Sequence, residues 1–161
     1  MNLAPKVFLA GSAMIVLCIA LSFVHPWGNP RDVDPNKITI LPGLELTPEI
    51  HQILVNKCAD CHSNATRWPV YSRIAPASWL MERDIMEARE HMNFSLWQDY
   101  DKDTRMDMLA RTATEVRKGE MPVKQYLMMH PEARFTEAER ALIINWTKTE
   151  RTRLRTETVT K

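Results

Sequence analysis

Cys58-Ala59-Asp60-Cys61-His62, running on into Ser63-Asn64-Ala65-Thr66-Arg67-Trp68-Pro69-Val70-Tyr71-Ser72, decides how this chain is read. C-x-x-C-H is the attachment signature of a c-type haem. Two thiols one helical turn apart reach the two vinyl groups of one porphyrin and form thioethers with them. The adjacent histidine then lies under the iron and supplies an axial nitrogen. The spacing therefore predicts one covalent haem c held by Cys58, Cys61 and His62. Two other chemistries use the same cysteine spacing. A thioredoxin-like dithiol wants a βαβ context, which this sequence does not offer. A structural zinc wants a second pair of ligands, and the chain has only one further cysteine, with its other histidines scattered singly.

Haem attachment takes place outside the bacterial cytoplasm, and the N-terminus agrees. Val7 to Val24 carries no charge and is mostly Val, Leu, Ile, Ala, Met and Phe. Roughly 18 apolar residues is the lower end of a membrane-spanning helix. Lys6 precedes the run and Trp27 follows it, as a cytoplasmic N-terminus and an interfacial tryptophan require. The expectation is an uncleaved anchor over residues 1–27 in the inner membrane, with the rest of the chain in the periplasm. A cleaved signal peptide is the alternative, but Ala20-Leu21-Ser22 is a poor cleavage site with Phe23 and Val24 still to follow. Lipid attachment at Cys18 is disfavoured by the bulk of Leu17. With Cys58 and Cys61 given to haem and Cys18 in the anchor, no disulfide is expected. A net charge of +1 over 161 residues gives no sign of nucleic-acid binding.

Past the anchor, residues 28–46 read as a Pro-rich spacer that holds the domain off the bilayer, interrupted by Pro30, Pro35, Pro42 and Gly43. Residues 47–150 read as the haem domain and 151–161 as a polar tail. Thr47 is a candidate N-cap with Pro48 at the first helical position, and Ile50, Ile53 and Leu54 form a stripe leading into Cys58. Further helices are expected over Ser78–Met92, over Asp103–Lys118 with Gly119 as its stop, and from Thr136, where Glu139 completes a capping box. No alternating β pattern occurs. The fold class is all-α: a cytochrome c-like helical domain, of four or five helices, around the haem.

Met121 is the predicted sixth ligand. Gly119-Glu120-Met121-Pro122 lies between two helices, where glycine and proline can pin a loop that presents a thioether to the iron. The competing reading makes Met121 one of ten methionines filling core gaps. His130, His91, Met128 and Met129 are the rival ligands, whereas His25 and His51 have no positional argument. Trp68, Tyr71 and Trp79 are expected to wall the porphyrin, and Arg67 and Arg73 to meet its propionates. The second ring nitrogen of His62 is expected to donate to a carbonyl in the loop after the motif.

The run from Cys58 to Ser72 resembles the bacterial haem-binding domain family, small membrane-anchored proteins with one c-type motif. The resemblance continues through Ile74-Ala75-Pro76-Ala77-Ser78-Trp79, Asn93-Phe94-Ser95-Leu96-Trp97, Gly119-Glu120-Met121-Pro122, and Tyr126, His130, Ala133 and Trp146. It implies haem attachment and maps the family's Gly-x-Met-Pro motif onto Met121, and it leaves the biological role open. The residues point to an electron carrier, or a haem subunit of a respiratory or redox complex, rather than an enzyme. A gas sensor or peroxidase-like enzyme with an exchangeable sixth ligand is the alternative, and a haem that only stabilises an assembly subunit is a third reading. The expected partners are the membrane and redox proteins.

Overall fold

The computed structural model describes residues 4–34 and 36–157. The chain start before residue 4, Pro35 of the expected spacer and residues 158–161 of the expected tail lie outside the described residues. Seven α-helices follow in order: α1 (Ala4–Leu21), α2 (Pro48–Lys57), α3 (Ala59–His62), α4 (Ala77–His91), α5 (Lys102–Lys118), α6 (Lys124–Met129) and α7 (Glu137–Thr156). Three 3-10 segments, Val70–Arg73, Phe94–Asp99 and Pro131–Ala133, turn the chain between them, and no strand occurs among the described residues.

Local chemistry sets the helix ends. Thr47 Oγ1 accepts the Ile50 N–H at the start of α2, with Pro48 in the first position. Asp101 Oδ1 accepts the Thr104 N–H at 2.8 Å to open α5. Gly119 closes that helix at φ +75°, a conformation that disfavours any side chain with a Cβ. Thr136 and Glu139 cap α7 reciprocally.

The core forms where α2, α5 and α7 bring Ile50, Ile53, Leu54, Leu109, Val116, Ile143 and Leu154 onto Phe94 and Trp97. Leu54 is fully buried, and burying a leucine of that kind contributes roughly 1.5–3 kcal/mol. Helix α7 runs to Thr156, past the point where a polar tail was expected. Leu154 is buried in the core, and Lys102 Nζ donates to the carbonyls of Arg155 and Glu157, which a helix C-terminus leaves without intrahelical partners.

One N-terminal expectation needs correction, and the helix of another ends earlier than expected. Residues 28–46 do not form a spacer: Pro30 and Leu41 are buried, and Ile40, Leu44 and Leu46 pack on the core. The Leu41 N–H donates to the Phe94 carbonyl at 2.9 Å, and Arg89 Nη1 donates to the Pro30 carbonyl at 2.6 Å. Prolines extended this stretch, and the apolar residues between them drew it onto the domain. The helix expected to span a membrane through Val24 stops at Leu21. Ser22 Oγ donates back to the Cys18 carbonyl and accepts the Ala75 N–H, which pulls the chain out of the helix and against the domain. Among the described residues, no helix is long and apolar enough to cross a membrane. The described side chains of α1 are almost all exposed, Phe8 by 77%.

Candidate functional site

Cys58 caps α2, its N–H bonded to the Leu54 carbonyl, and the chain turns at once into α3. The N–H groups of Cys61 and His62 both bond to the Cys58 carbonyl, at 3.2 and 2.9 Å. One tight turn thus gathers both sulfurs and the imidazole onto the wall of a cavity of about 620 Å³. Pockets for small molecules and cofactors run from about 300 to 1,000 Å³. Met92, Phe94, Met108, Val116 and Phe135 supply its apolar wall, and Arg83, Asp84, Glu87, His91 and Arg111 also line it. Burial pushes both thiols up to about 12, with Asp60 adding to the effect at Cys61, so both sulfurs are held protonated.

His62 is a residue that could hold a metal. Its Nδ1 lies 3.1 Å from the Met92 carbonyl, which can only accept, so the proton belongs on Nδ1 and the lone pair on Nε2. Burial lowers the imidazole pKa, against a smaller opposing effect of the Met92 carbonyl, and so favours the neutral form that binds metal. The carbonyl comes from the end of α4, thirty residues away, and not from the loop after the motif. That loop has other engagements: the Ser63 carbonyl already accepts from Arg89 Nε at 3.0 Å.

Met121 lines the same cavity. Gly119 turns the chain out of α5, the Glu120 N–H bonds back to the Glu115 carbonyl, and Met121 follows on the wall with 37% of its surface exposed. His130 is placed elsewhere, with both ring nitrogens engaged: Nε2 lies 3.0 Å from the Tyr71 hydroxyl and Nδ1 3.2 Å from Glu132 Oε1. Its ring also stacks on Tyr126 at 4.5 Å. Met128 and Met129 are exposed and off the wall, whereas His91 is on it.

Trp68, Tyr71, Arg73 and Trp79 do not line the cavity, and three of them have structural partners. The Arg31 guanidinium lies 3.7 Å from the centre of a Trp68 ring, Tyr71 holds His130, and Trp79 Nε1 donates to the Val24 carbonyl at 2.8 Å. Arg73 is exposed in the Val70–Arg73 turn. Residues 22–31 pack against Trp68, Ser72, Ala75 and Trp79 on this side, away from the cavity wall. Arg67 pairs with Asp60 through Nε and Nη2, at 3.0 and 2.9 Å, so the arginines on the cavity wall are Arg83 and Arg111 instead.

Sequence reasoning also missed the part played by Asp60. Besides Arg67, its carboxylate accepts the Tyr126 hydroxyl at 2.9 Å, which ties α6 and the Met121 loop to the thiol turn. Burial and this carboxylate push the Tyr126 pKa upward. No spacing rule pairs residues 66 positions apart. Phe94 stood in the sequence only as one residue of a longer resemblance, yet it packs 6.1 Å from the His62 ring.

Two thiols, an imidazole with a free Nε2 and a thioether on one largely apolar cavity fit a porphyrin attached through Cys58 and Cys61. Comparison with curated proteins and with solved structures finds no match. A protein-family model described as a haem-binding domain matches residues 16–149, a span that begins inside α1 and takes in the packed 28–46 stretch. That span is well over half of the 161 residues, and with the geometry of the cavity it makes this chain a member of the haem-binding domain family.

Proposed function

We propose that this chain is a membrane-anchored monohaem c-type cytochrome that transfers electrons in the bacterial periplasm, as a free carrier or as a subunit of a larger respiratory complex. The observation that carries the reading is the convergence of Cys58, Cys61, His62 and Met121 on one cavity. Thioethers at Cys58 and Cys61 would hold the haem, with His62 Nε2 and the Met121 sulfur as axial ligands. Bound there, the iron supplies a one-electron couple whose potential a thioether ligand raises. The Met92 carbonyl orients the imidazole, Phe94, Met108 and Val116 exclude water, and Arg83 and Arg111 offer charge to the propionates. Anchoring rests on the uncharged run Val7–Val24, whose exposed apolar side chains suit lipid although α1 by itself falls short of a membrane span. Lys6 before the run argues for a cytoplasmic N-terminus and hence a periplasmic domain.

One observation favours a second reading, a gas sensor or peroxidase-like enzyme: His91 stands on the cavity wall as a candidate polar group beside an exchangeable site. Spectra of the purified holoprotein separate the two. An electron carrier is low-spin in both oxidation states, shows the weak far-red band of His/Met ligation when ferric, and does not bind carbon monoxide when ferrous. Met121→Ala should keep its haem, lose that band, fall in potential and bind carbon monoxide. A wild-type protein that is high-spin and takes up carbon monoxide readily would support the sensor or enzyme.

A further inference from the structure

The end of α1 is fastened to the domain. The Ala75 N–H donates to Ser22 Oγ at 2.9 Å, Trp79 Nε1 donates to the Val24 carbonyl at 2.8 Å, and His25 Nδ1 pairs with Glu82 Oε1 at 2.9 Å. Trp27 meets Trp79 edge to face, with ring centres 6.5 Å apart. These contacts come from four residues between Ser22 and Trp27, and they hold the end of α1 against the corner between the Val70–Arg73 turn and α4.

Around that junction the apolar side chains point outward. Phe23 and Val70 are 79% and 82% exposed, and Val24, Trp27, Ile74 and Leu80 are each about half exposed. Core formation gains nothing from side chains left in this state, and such a patch on a domain marks a surface that something else covers. Continuity identifies the cover. The patch begins where α1 ends, and tryptophans beside such a helix sit at the boundary between hydrocarbon and water. Exposed Arg73 lies between Val70 and Ile74, where its stem can cover apolar surface while its head reaches lipid phosphate.

We propose that the rim formed by Phe23, Val24, Trp27, Val70, Ile74 and Leu80 is embedded in the interface of the bilayer that α1 enters, so that the domain lies against the membrane in a fixed orientation. This rests on the reading of α1 as an anchor. The first turn of α4 then faces lipid, while the residues that line the haem cavity begin at Arg83 and continue to Met92. The cavity's far end, at His91, lies about 16 Å along α4 from Leu80 and is the end turned toward partners in the periplasm.

Thiol accessibility in the full-length holoprotein tests this. In a Cys18→Ser background, single cysteines are placed at Val70, Ile74 and, as a control on the exposed face of α7, Leu142; the haem sulfurs are unreactive as thioethers. The proteins are reconstituted into phosphatidylcholine–phosphatidylglycerol vesicles and treated with a hydrophilic, membrane-impermeant maleimide. An unchanged haem spectrum in each variant verifies the fold. The expected result is alkylation several-fold slower at positions 70 and 74 than at 142, persisting when protein is diluted into excess lipid. Equal rates at all three positions, in protein that stays with the vesicles through carbonate extraction, would overturn the embedded face and leave the anchor standing. Rates at 70 and 74 that recover on dilution would assign the patch to a second copy of the chain and overturn it too. Release of the protein by carbonate would refute the anchor reading first.

Discussion

On the cavity wall His62 commits one ring nitrogen to the Met92 carbonyl and keeps the other, while at the neighbouring corner His130 commits both, to Tyr71 and Glu132. The same contrast holds between the two regions as wholes. Around the corner and along Trp68–Trp79, several side chains have protein partners, Arg67 in Asp60, Arg31 in Ser72 and Trp68, and Trp79 in Val24, although Ser78 Oγ and Glu82 Oε2 are buried without one. On the wall, two neutral thiols, a thioether and an imidazole lone pair face a cavity. What marks the wall is the gathering of metal-binding atom types on one cavity, which the corner does not share. Trp68, Tyr71 and Trp79, each with a protein partner and off the wall, act as a buttress. Arg73, exposed at its edge, belongs to the surface.

Substitutions of the groups that tie the corner to the thiol turn should therefore change stability more than iron ligation, even at Asp60, which itself lines the cavity. The largest effect is expected from Asp60→Asn. Asp60 accepts from the Arg67 backbone and guanidinium and from Tyr126, and hydrogen bonds to a charged group are worth about 1.5–3 kcal/mol. Chemical denaturation should register a loss of about 1–3 kcal/mol while the covalent haem and its spectrum persist. A denatured-state haem yield that collapses in this variant would mean that Asp60 acts in attachment itself.

His130→Ala should have the smallest effect on the haem. Its ferric spectrum should match the wild type, with a modest fall in stability as the Tyr71 contact and the Tyr126 stack are lost. Loss of the far-red band in this variant, with Met121→Ala unchanged, would exchange the two regions' roles and make the corner the ligand side.

What could be read from the sequence was local. The thiol turn, the Thr47 and Thr136 caps and the Gly119 stop each depend on residues within five positions, and each is found where the pattern placed it. Helix α4 begins and ends within one residue of its expected bounds, and α5 within one of its start. Contacts that cross the chain were not legible. Prolines in 28–46 described an extended path, and only tertiary packing of Leu41 on Phe94 shows that the path is part of the core. The charged run after Arg151 looked like a tail because one leucine, Leu154, carries its burial and Lys102 caps it from another helix. Aromatics next to the motif suggested a porphyrin wall by proximity in sequence, yet Trp68, Tyr71 and Trp79 lie off the cavity, whose apolar lining comes from Met92, Phe94, Met108, Val116 and Phe135.

The central claim is that the haem is bound covalently at this cavity through Cys58 and Cys61. Intact mass and haem staining of the denatured protein, made in cells with c-type maturation machinery, test it directly. The wild-type chain should retain one haem mass and stain after denaturation, and Cys58→Ala/Cys61→Ala should carry none. A wild-type chain that surrenders its haem on denaturation, or a double variant that stains fully, would contradict it.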